Sequence, residues 1–288
     1  MFERKTYLYT FIFAGIVSIL LISCNNKPAQ KNLPTNAKIT RPDKNVERLE
    51  RELNKAKIFG IKNIKSYPYY YDTGEEKAGK LSEEITFDKK GNRIDHVTHK
   101  GNDVYDFKYE YDDNNRLLTM KSYNEDGDLL LEKKYIYDEQ GRNTGINEVD
   151  HYSERNTKYY RFTYKDSLIV EKTIDNFRLN RIVDERIEYD TLGYKIADHK
   201  SDPNGVIVNT YYKHDEYGNL SEINAPYFKI TFDYDDKGNV VNQELWADST
   251  RQYKFVYDYD DEGLLLEKRR YDLKEKMVFK LVYKYEFF

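Results

Sequence analysis

In Phe232-Asp233-Tyr234-Asp235-Asp236-Lys237-Gly238-Asn239-Val240-Val241, an alternating aromatic run meets an Asp, two variable residues and a Gly, and an apolar run follows. Asp is favoured at the first position of a type I turn, where its side chain accepts backbone N–H groups, and Gly at the fourth, where φ is positive. A type I turn followed by a left-handed residue is a common hairpin connection that closes with a bulge. The flanks fit strands, because period-two alternation with aromatic and β-branched residues marks a half-buried antiparallel strand.

The phrase recurs. Phe87-Asp88-Lys89-Lys90-Gly91, Tyr111-Asp112-Asp113-Asn114-Asn115, Tyr137-Asp138-Glu139-Gln140-Gly141, Tyr189-Asp190-Thr191-Leu192-Gly193, His214-Asp215-Glu216-Tyr217-Gly218 and Tyr259-Asp260-Asp261-Glu262-Gly263 are further copies, and Tyr164 opens a degenerate one. Asn115 replaces Gly in one copy, and Asn is the next most tolerant residue of that conformation. The copies recur about every 25 residues, a fixed period that sets the architecture before any local reading does. Second turns lie halfway between, as in Tyr123-Asn124-Glu125-Asp126-Gly127, Asp202-Pro203-Asn204-Gly205, Asp248-Ser249-Thr250 and Tyr271-Asp272-Leu273-Lys274. That spacing predicts roughly 18 strands after residue 64.

The expected fold is all-β: a repetitive antiparallel hairpin meander over residues 61–288. An open twisted sheet rarely exceeds about 10 strands. The meander should therefore coil into a spiral shell or a flattened sandwich, with Tyr and Phe inside and the charged residues outside as cross-strand pairs.

The Tyr-Asp-x-x-Gly phrase followed by Asn or Arg (Gly91-Asn92, Gly141-Arg142, Gly218-Asn219, Gly238-Asn239) resembles the YD repeat of RHS-type proteins. The resemblance covers about residues 64–288. It implies long β-meanders that wind into shells, with roles in enclosing a toxin or in carbohydrate and cell-surface binding. The chain ends in Leu281-Val282-Tyr283-Lys284-Tyr285-Glu286-Phe287-Phe288, a strand pattern, so the toxin-delivery role is not carried over.

The N-terminus gives an address. Arg4 and Lys5 precede an apolar run from Tyr7 to Ile22, which reads as a secretory signal over residues 1–23. Leu21-Ile22-Ser23-Cys24 resembles the lipobox of bacterial lipoproteins, which makes Cys24, the chain's single cysteine, the acylated first residue of the mature protein. One acyl chain anchors marginally and two suffice. Residues 24–42 form the lipidated end and a flexible tether, of span on the order of 20–25 Å if disordered. Asn25 in place of Asp favours the outer membrane, with periplasm-facing and surface-facing placements both open. Residues 43–60 read as one amphipathic helix: Asp43 caps it, Val46, Leu49 and Leu53 share a face, and Gly60 ends it. It should cover the first sheet edge or an open end of the shell.

Chemistry-bearing patterns are sparse. The acidic turns Asp112-Asp113, Asp235-Asp236 and Asp260-Asp261-Glu262 match no EF-hand spacing, and the turn itself needs the Asp. His96, His99, His151, His199 and His214 are scattered, and the first two fall on opposite faces of a strand. The chain has no phosphate loop, no nucleophile elbow and no catalytic cysteine. The expectation is therefore no catalytic residue, no metal and no cofactor. A net charge of −4 with interleaved signs disfavours nucleic acid. A mean hydropathy of −0.90 speaks against a transmembrane barrel.

Most of the 29 tyrosines should pack the interior, with those at the repeat position as the pattern. Tyr67, Tyr69, Tyr70 and Tyr71 at the first edge, and Trp246 near a second turn, are out of phase and stand as candidate ligand contacts. The function expected is a lipid-anchored bacterial envelope protein whose β-repeat domain is a non-catalytic binding or scaffold surface for a carbohydrate or protein partner. The alternatives are a glycan-processing enzyme with carboxylates in the irregular Tyr152–Tyr164 region, or an RHS-like shell housing a separate effector.

Overall fold

The structure, a computed structural model, describes residues 54–72, 75–151, 156–176, 181–201 and 205–288. The expected signal peptide, Cys24 with its tether, the first part of the expected helix and the Asp202-Pro203-Asn204 turn lie outside the described residues.

Residues 54–58 are helical. The strands that follow are β1 (Ile61–Asp72), β2 (Glu75–Ala78), β3 (Glu83–Phe87), β4 (Arg93–Lys100), β5 (Asp103–Tyr111), β6 (Leu117–Tyr123), β7 (Leu129–Tyr137), β8 (Asn143–Asp150), β9 (Asn156–Lys165) and β10 (Leu168–Asn176). They continue as β11 (Arg181–Tyr189), β12 (Lys195–Ser201), β13 (Ile207–His214), β14 (Leu220–Ala225), β15 (Phe228–Tyr234), β16 (Val240–Ala247), β17 (Thr250–Tyr259), β18 (Leu265–Tyr271) and β19 (Met277–Phe287).

The local cause of each hairpin is the turn. At Asp235 the backbone N–H receives no partner from its own strand and donates to Asn239 O at 3.0 Å, while Gly238 N–H donates back to Asp235 O at 3.0 Å. The Asp235 carboxylate accepts from the N–H groups of Lys237 (3.0 Å) and Asn239 (2.7 Å), and its other oxygen from Asn239 Nδ2 (2.9 Å). This explains the Asn or Arg after the Gly: Arg116 and Arg142 use Nε on Asp112 and Asp138 in the same way, at 2.6 and 2.7 Å. Gly141, Gly193, Gly218, Gly238 and Gly263 all have φ between 78° and 88°, and Asn115 stands at 66°. A register shift just before each turn is the bulge.

The repeat aromatic has its own partner. Tyr111, Tyr137, Tyr164, Tyr189, Tyr234, Tyr259 and Tyr285 each donate their hydroxyl to a carbonyl at the start of a preceding strand, namely that of Arg93, Leu117, Asn143, Ile169, Leu220, Val240 and Leu265, at 2.6–3.0 Å. The tyrosines thus tie neighbouring hairpins into a ladder. Arg116 and Arg142 extend it, each with its guanidinium 5.0 Å from the ring of the next repeat's Tyr137 or Tyr164.

The meander does not stop as an open shell or a flattened sandwich, and in this the sequence-based expectation is corrected. β1 pairs with β19 from Ile61↔Phe287 to Tyr70↔Phe279, and its other edge is shared by β3 and β2. The result is an 18-stranded closed antiparallel barrel with β2 as one extra strand. An even number of alternating strands lets the first and last meet antiparallel, and closure removes both unpaired edges. The helical turn at 54–58 therefore has no edge to cover. It sits at the rim of the Asp-Gly turns, where Lys55 Nζ donates to Gly263 O at 2.8 Å and Lys57 packs against Gly91.

Burial alternates along the strands and defines an inner face. On β5, Tyr105, Phe107, Tyr109 and Tyr111 point in; on β15, Phe228, Ile230, Phe232 and Tyr234 do. Ile230, Phe232 and Leu245 form a buried cluster with Ile223, Val240 and Tyr253 around it. Each such side chain contributes about 1.5–3 kcal/mol by leaving water. The outer face carries charges the length of the wall, paired as Lys108 with Asp95 (2.6 Å) and Asp106 (3.0 Å), Lys213 with Glu222 (2.8 Å) and Arg251 with Glu244 (3.2 Å). A membrane-spanning barrel needs an outward apolar band of about 25 Å, and this wall offers none among the described residues.

Candidate functional site

The charged residues are not confined to the outer face. The strand after each turn places polar groups opposite the inward aromatics, and these divide into two kinds.

Most are internally matched. Glu148, 5% exposed, meets Lys133 at 2.9 Å and Lys158 at 2.8 Å and accepts from the Tyr160 hydroxyl at 3.2 Å. Burial alone would raise its pKa, but the two ammonium groups outweigh it and hold the carboxyl below the ordinary range. Lys195 meets Asp198 at 2.6 Å, and the Tyr212 hydroxyl donates to the same carboxylate at 2.6 Å. Lys172 meets Glu185 at 3.1 Å, and His96 meets Glu83 at 2.7 Å. Burial pushes the phenols of Tyr135 and Tyr137 up to about 12, so they remain donors at neutral pH.

One stretch is not matched. On β18, Lys268 and Arg270 point inward beside Tyr257 and Phe255. Lys268 is 7% exposed; its ammonium lies 4.5 Å from the Phe255 ring centre and 5.3 Å from that of Tyr257. The Arg270 guanidinium lies 5.0 Å from the Tyr253 ring and 6.0 Å from Phe279. Neither cation has a carboxylate within salt-bridge distance among the described residues. Gln243, 2% exposed, stands opposite Phe255 and accepts from the Tyr257 hydroxyl at 2.5 Å, while its Nε2 has no acceptor. Arg270 Nε is likewise buried without one.

The residues expected as contacts are placed differently. Tyr67, Tyr69 and Tyr71 share the outer face of β1. Lys284 lies 4.9 Å from the Tyr67 ring, Lys280 lies 4.8 Å from that of Tyr69, and Tyr71 donates to Glu76. Tyr70 is on the opposite face, 52% exposed and 5.4 Å from Phe279. Trp246 is on the outer face of β16 beneath Lys229, 5.5 Å away, and its indole N–H is buried without an acceptor. β17, β18 and β19 separate it from β1, so the structure does not unite the two sets. His96 and His99 fall on opposite faces, as their spacing requires. The turn aspartates are consumed by their own backbone.

Two shallow depressions stand out among the described residues. One of about 230 Å³ at the Asp-Gly rim is lined by Tyr194, Tyr212, His214 and Asp215, with Tyr194 and His214 stacked at 5.0 Å. The other, about 500 Å³, lies outside β4–β6 around Val97, Val104 and Lys108.

No family model and no curated protein matches the chain. Among solved structures it is similar to the crystal structure of TcdB2-TccC3-Cdc42, at 12% identity and a TM-score of 0.36, over 75% of this chain and 14% of that one. It is also similar to porin-like proteins from Bacteroides uniformis (11% identity, TM-score 0.43) and Bacteroides vulgatus (11%, 0.27), over 78% of this chain and 98% of each of those. The chain thus spans only a small part of the first and nearly all of the other two. At these identities and scores the likenesses leave both family and activity open.

Proposed function

We propose that the chain is a lipid-anchored protein of a bacterial outer membrane whose barrel is a non-catalytic binding surface, taking a carbohydrate of the envelope as ligand. The observation that carries this reading is how the polar groups are used. The turn carboxylates are held by backbone N–H groups, and Glu148, Glu185 and Asp198 each face a lysine. That arrangement leaves no poised acid or base pair among them and favours binding over turnover. Rings and unmet donors on the inner wall are what a polyhydroxylated ligand engages. The anchor rests on Leu21-Ile22-Ser23-Cys24.

Full-length protein in detergent, screened against envelope polysaccharides, should show saturable binding to at least one, with no product released. Labelled palmitate should enter the protein in cells and be lost in Cys24→Ser. Turnover of a bound polysaccharide, abolished by a single carboxylate substitution, would replace this reading with the glycan-processing one.

A further inference from the structure

The unmatched groups of β16–β18 share one sign. Arg270 Nε and Gln243 Nε2 are buried donors without an acceptor, and Lys268 Nζ meets only the Phe255 and Tyr257 rings. Two of the three belong to cations and all three lie on the inner face, whereas the other unmatched donors of these strands, Trp246 Nε1 and Arg269 Nε, lie on the outer face. Gln243 and Arg270 flank Phe255 on either side. Lys268 stands two residues from Arg270, about 7 Å along the strand. Buried polar groups are normally satisfied, and a buried cation is normally paired. Here the missing partner is an acceptor with negative charge. Elsewhere on the same wall the chain supplies it, as Glu148 does for Lys133 and Lys158. The aromatic rings around Lys268 and Arg270 soften the cost of burying charge but accept no full hydrogen bond.

We propose that Lys268, Arg270 and Gln243 form an oxyanion-binding site on the inner wall, taking the carboxylate, sulfate or phosphate group of an acidic ligand. The inference rests on the reading of the barrel as a binding protein and names the chemistry of its ligand. Burial pulls the Lys268 pKa down to about 8, with Glu83 on β3 opposing the shift. Glu83 itself faces His96. The other titratable groups facing Lys268, Tyr257 and Tyr283, are neutral phenols pushed upward by burial. An anion therefore binds best where Lys268 is charged, below pH 8.

The test is calorimetric titration of the full-length protein with inorganic phosphate, sulfate and glucuronate at pH 7 and pH 9.5. One saturable site is expected at pH 7, at least tenfold weaker at pH 9.5 and at least tenfold weaker in Lys268→Met or Arg270→Met. Lys229→Met, on the outer face, should bind as the parent does. Gln243→Glu supplies a carboxylate from within; it should melt higher than the parent and no longer bind phosphate. Preference for glucuronate over phosphate would identify an acidic sugar as the source, and the reverse a phosphorylated ligand. No saturable binding of any of the three anions, or binding undiminished in all three inner-wall variants, overturns the site. Polysaccharide binding without anion binding would sink the site and leave the proposed function standing. Anion binding at this site without polysaccharide binding would do the opposite.

Discussion

Gly141 offers a clean measure of what the repeated turn demands. Its φ is 79°, yet a Cβ built there would meet only Arg116, Nη1 at 3.7 Å and Cδ at 4.0 Å, which is ordinary contact. The cost of a side chain at this position is therefore conformational rather than steric. A left-handed L-residue costs about 1–2 kcal/mol, with Asn at the low end. A β-branched residue reaches about 3 kcal/mol. Gly141→Asn should lose about 1 kcal/mol and Gly141→Val about 3. For a domain of this size each kcal/mol moves Tm by about 2–4 °C, so the two variants should melt roughly 2–4 and 6–12 °C below the parent. Gly145 is the control of opposite kind. Its φ is not positive, but an added Cβ would stand 2.6 Å from the Tyr160 carbonyl oxygen, so even Gly145→Ala should disrupt the β8–β9 pairing. Thermal melts of the four proteins at equal concentration decide the matter. Equal midpoints for Gly141→Asn and Gly141→Val would refute the turn assignment.

Tyr137→Phe removes the 2.8 Å bond to Leu117 O and should cost about 1 kcal/mol, whereas Tyr217→Phe on an exposed turn should cost nothing; urea unfolding compares them. Glu148→Gln leaves Lys133 and Lys158 facing a neutral group and should destabilise by about 3 kcal/mol. Because the folded Glu148 pKa lies below its ordinary value of 4.5, its stabilisation is present above pH 4.5 and is lost as pH falls through the folded value, a loss absent from Glu148→Gln in acid titrations followed by circular dichroism. Lys268 works the other way. With a folded pKa of about 8 against 10.5, the unfolded chain binds the extra proton, so stability should rise from pH 8 upward, by at most about 3 kcal/mol. The raised tyrosines turn this back above pH 10, where the unfolded phenols ionise first. In Lys268→Met the rise should vanish.

The turns were legible because each is chemically local: the Asp carboxylate, the left-handed Gly and the residue after it meet within five positions. The strand count followed from the turn spacing, and the inward rings followed from alternation. Closure was not legible, since nothing in Ile61–Tyr70 refers to Phe279–Phe287 except a free edge of matching length. The inner-wall polar residues were hidden by the bulge. In β18 it leaves Leu266 between the pairs Tyr259↔Leu265 and Asp258↔Glu267, shifting the phase by one and turning Lys268 and Arg270 inward. Carrying the pairing across each bulge would have placed Lys268 opposite Tyr257, as it places Glu148 opposite Lys133. Tyr67, Tyr69 and Tyr71 share the outer face, beside lysines that β19 contributes, whereas Tyr70, grouped with them in the sequence, faces the opposite way.

Sidedness, the ladder and the inner donor site all depend on the barrel being closed between β1 and β19. Lys65 and Lys284 are directly opposed across that seam. Opposed residues in an antiparallel pair have Cα atoms about 4.5–5.5 Å apart, within disulfide reach. In a Cys24→Ser background, which removes the single native cysteine, the pair Lys65→Cys and Lys284→Cys should oxidise to an intramolecular disulfide in nearly every molecule. The pair Lys65→Cys and Lys213→Cys, far apart around the ring, should not. Free thiols in the first pair under oxidising conditions, in a folded protein, would contradict the closed barrel.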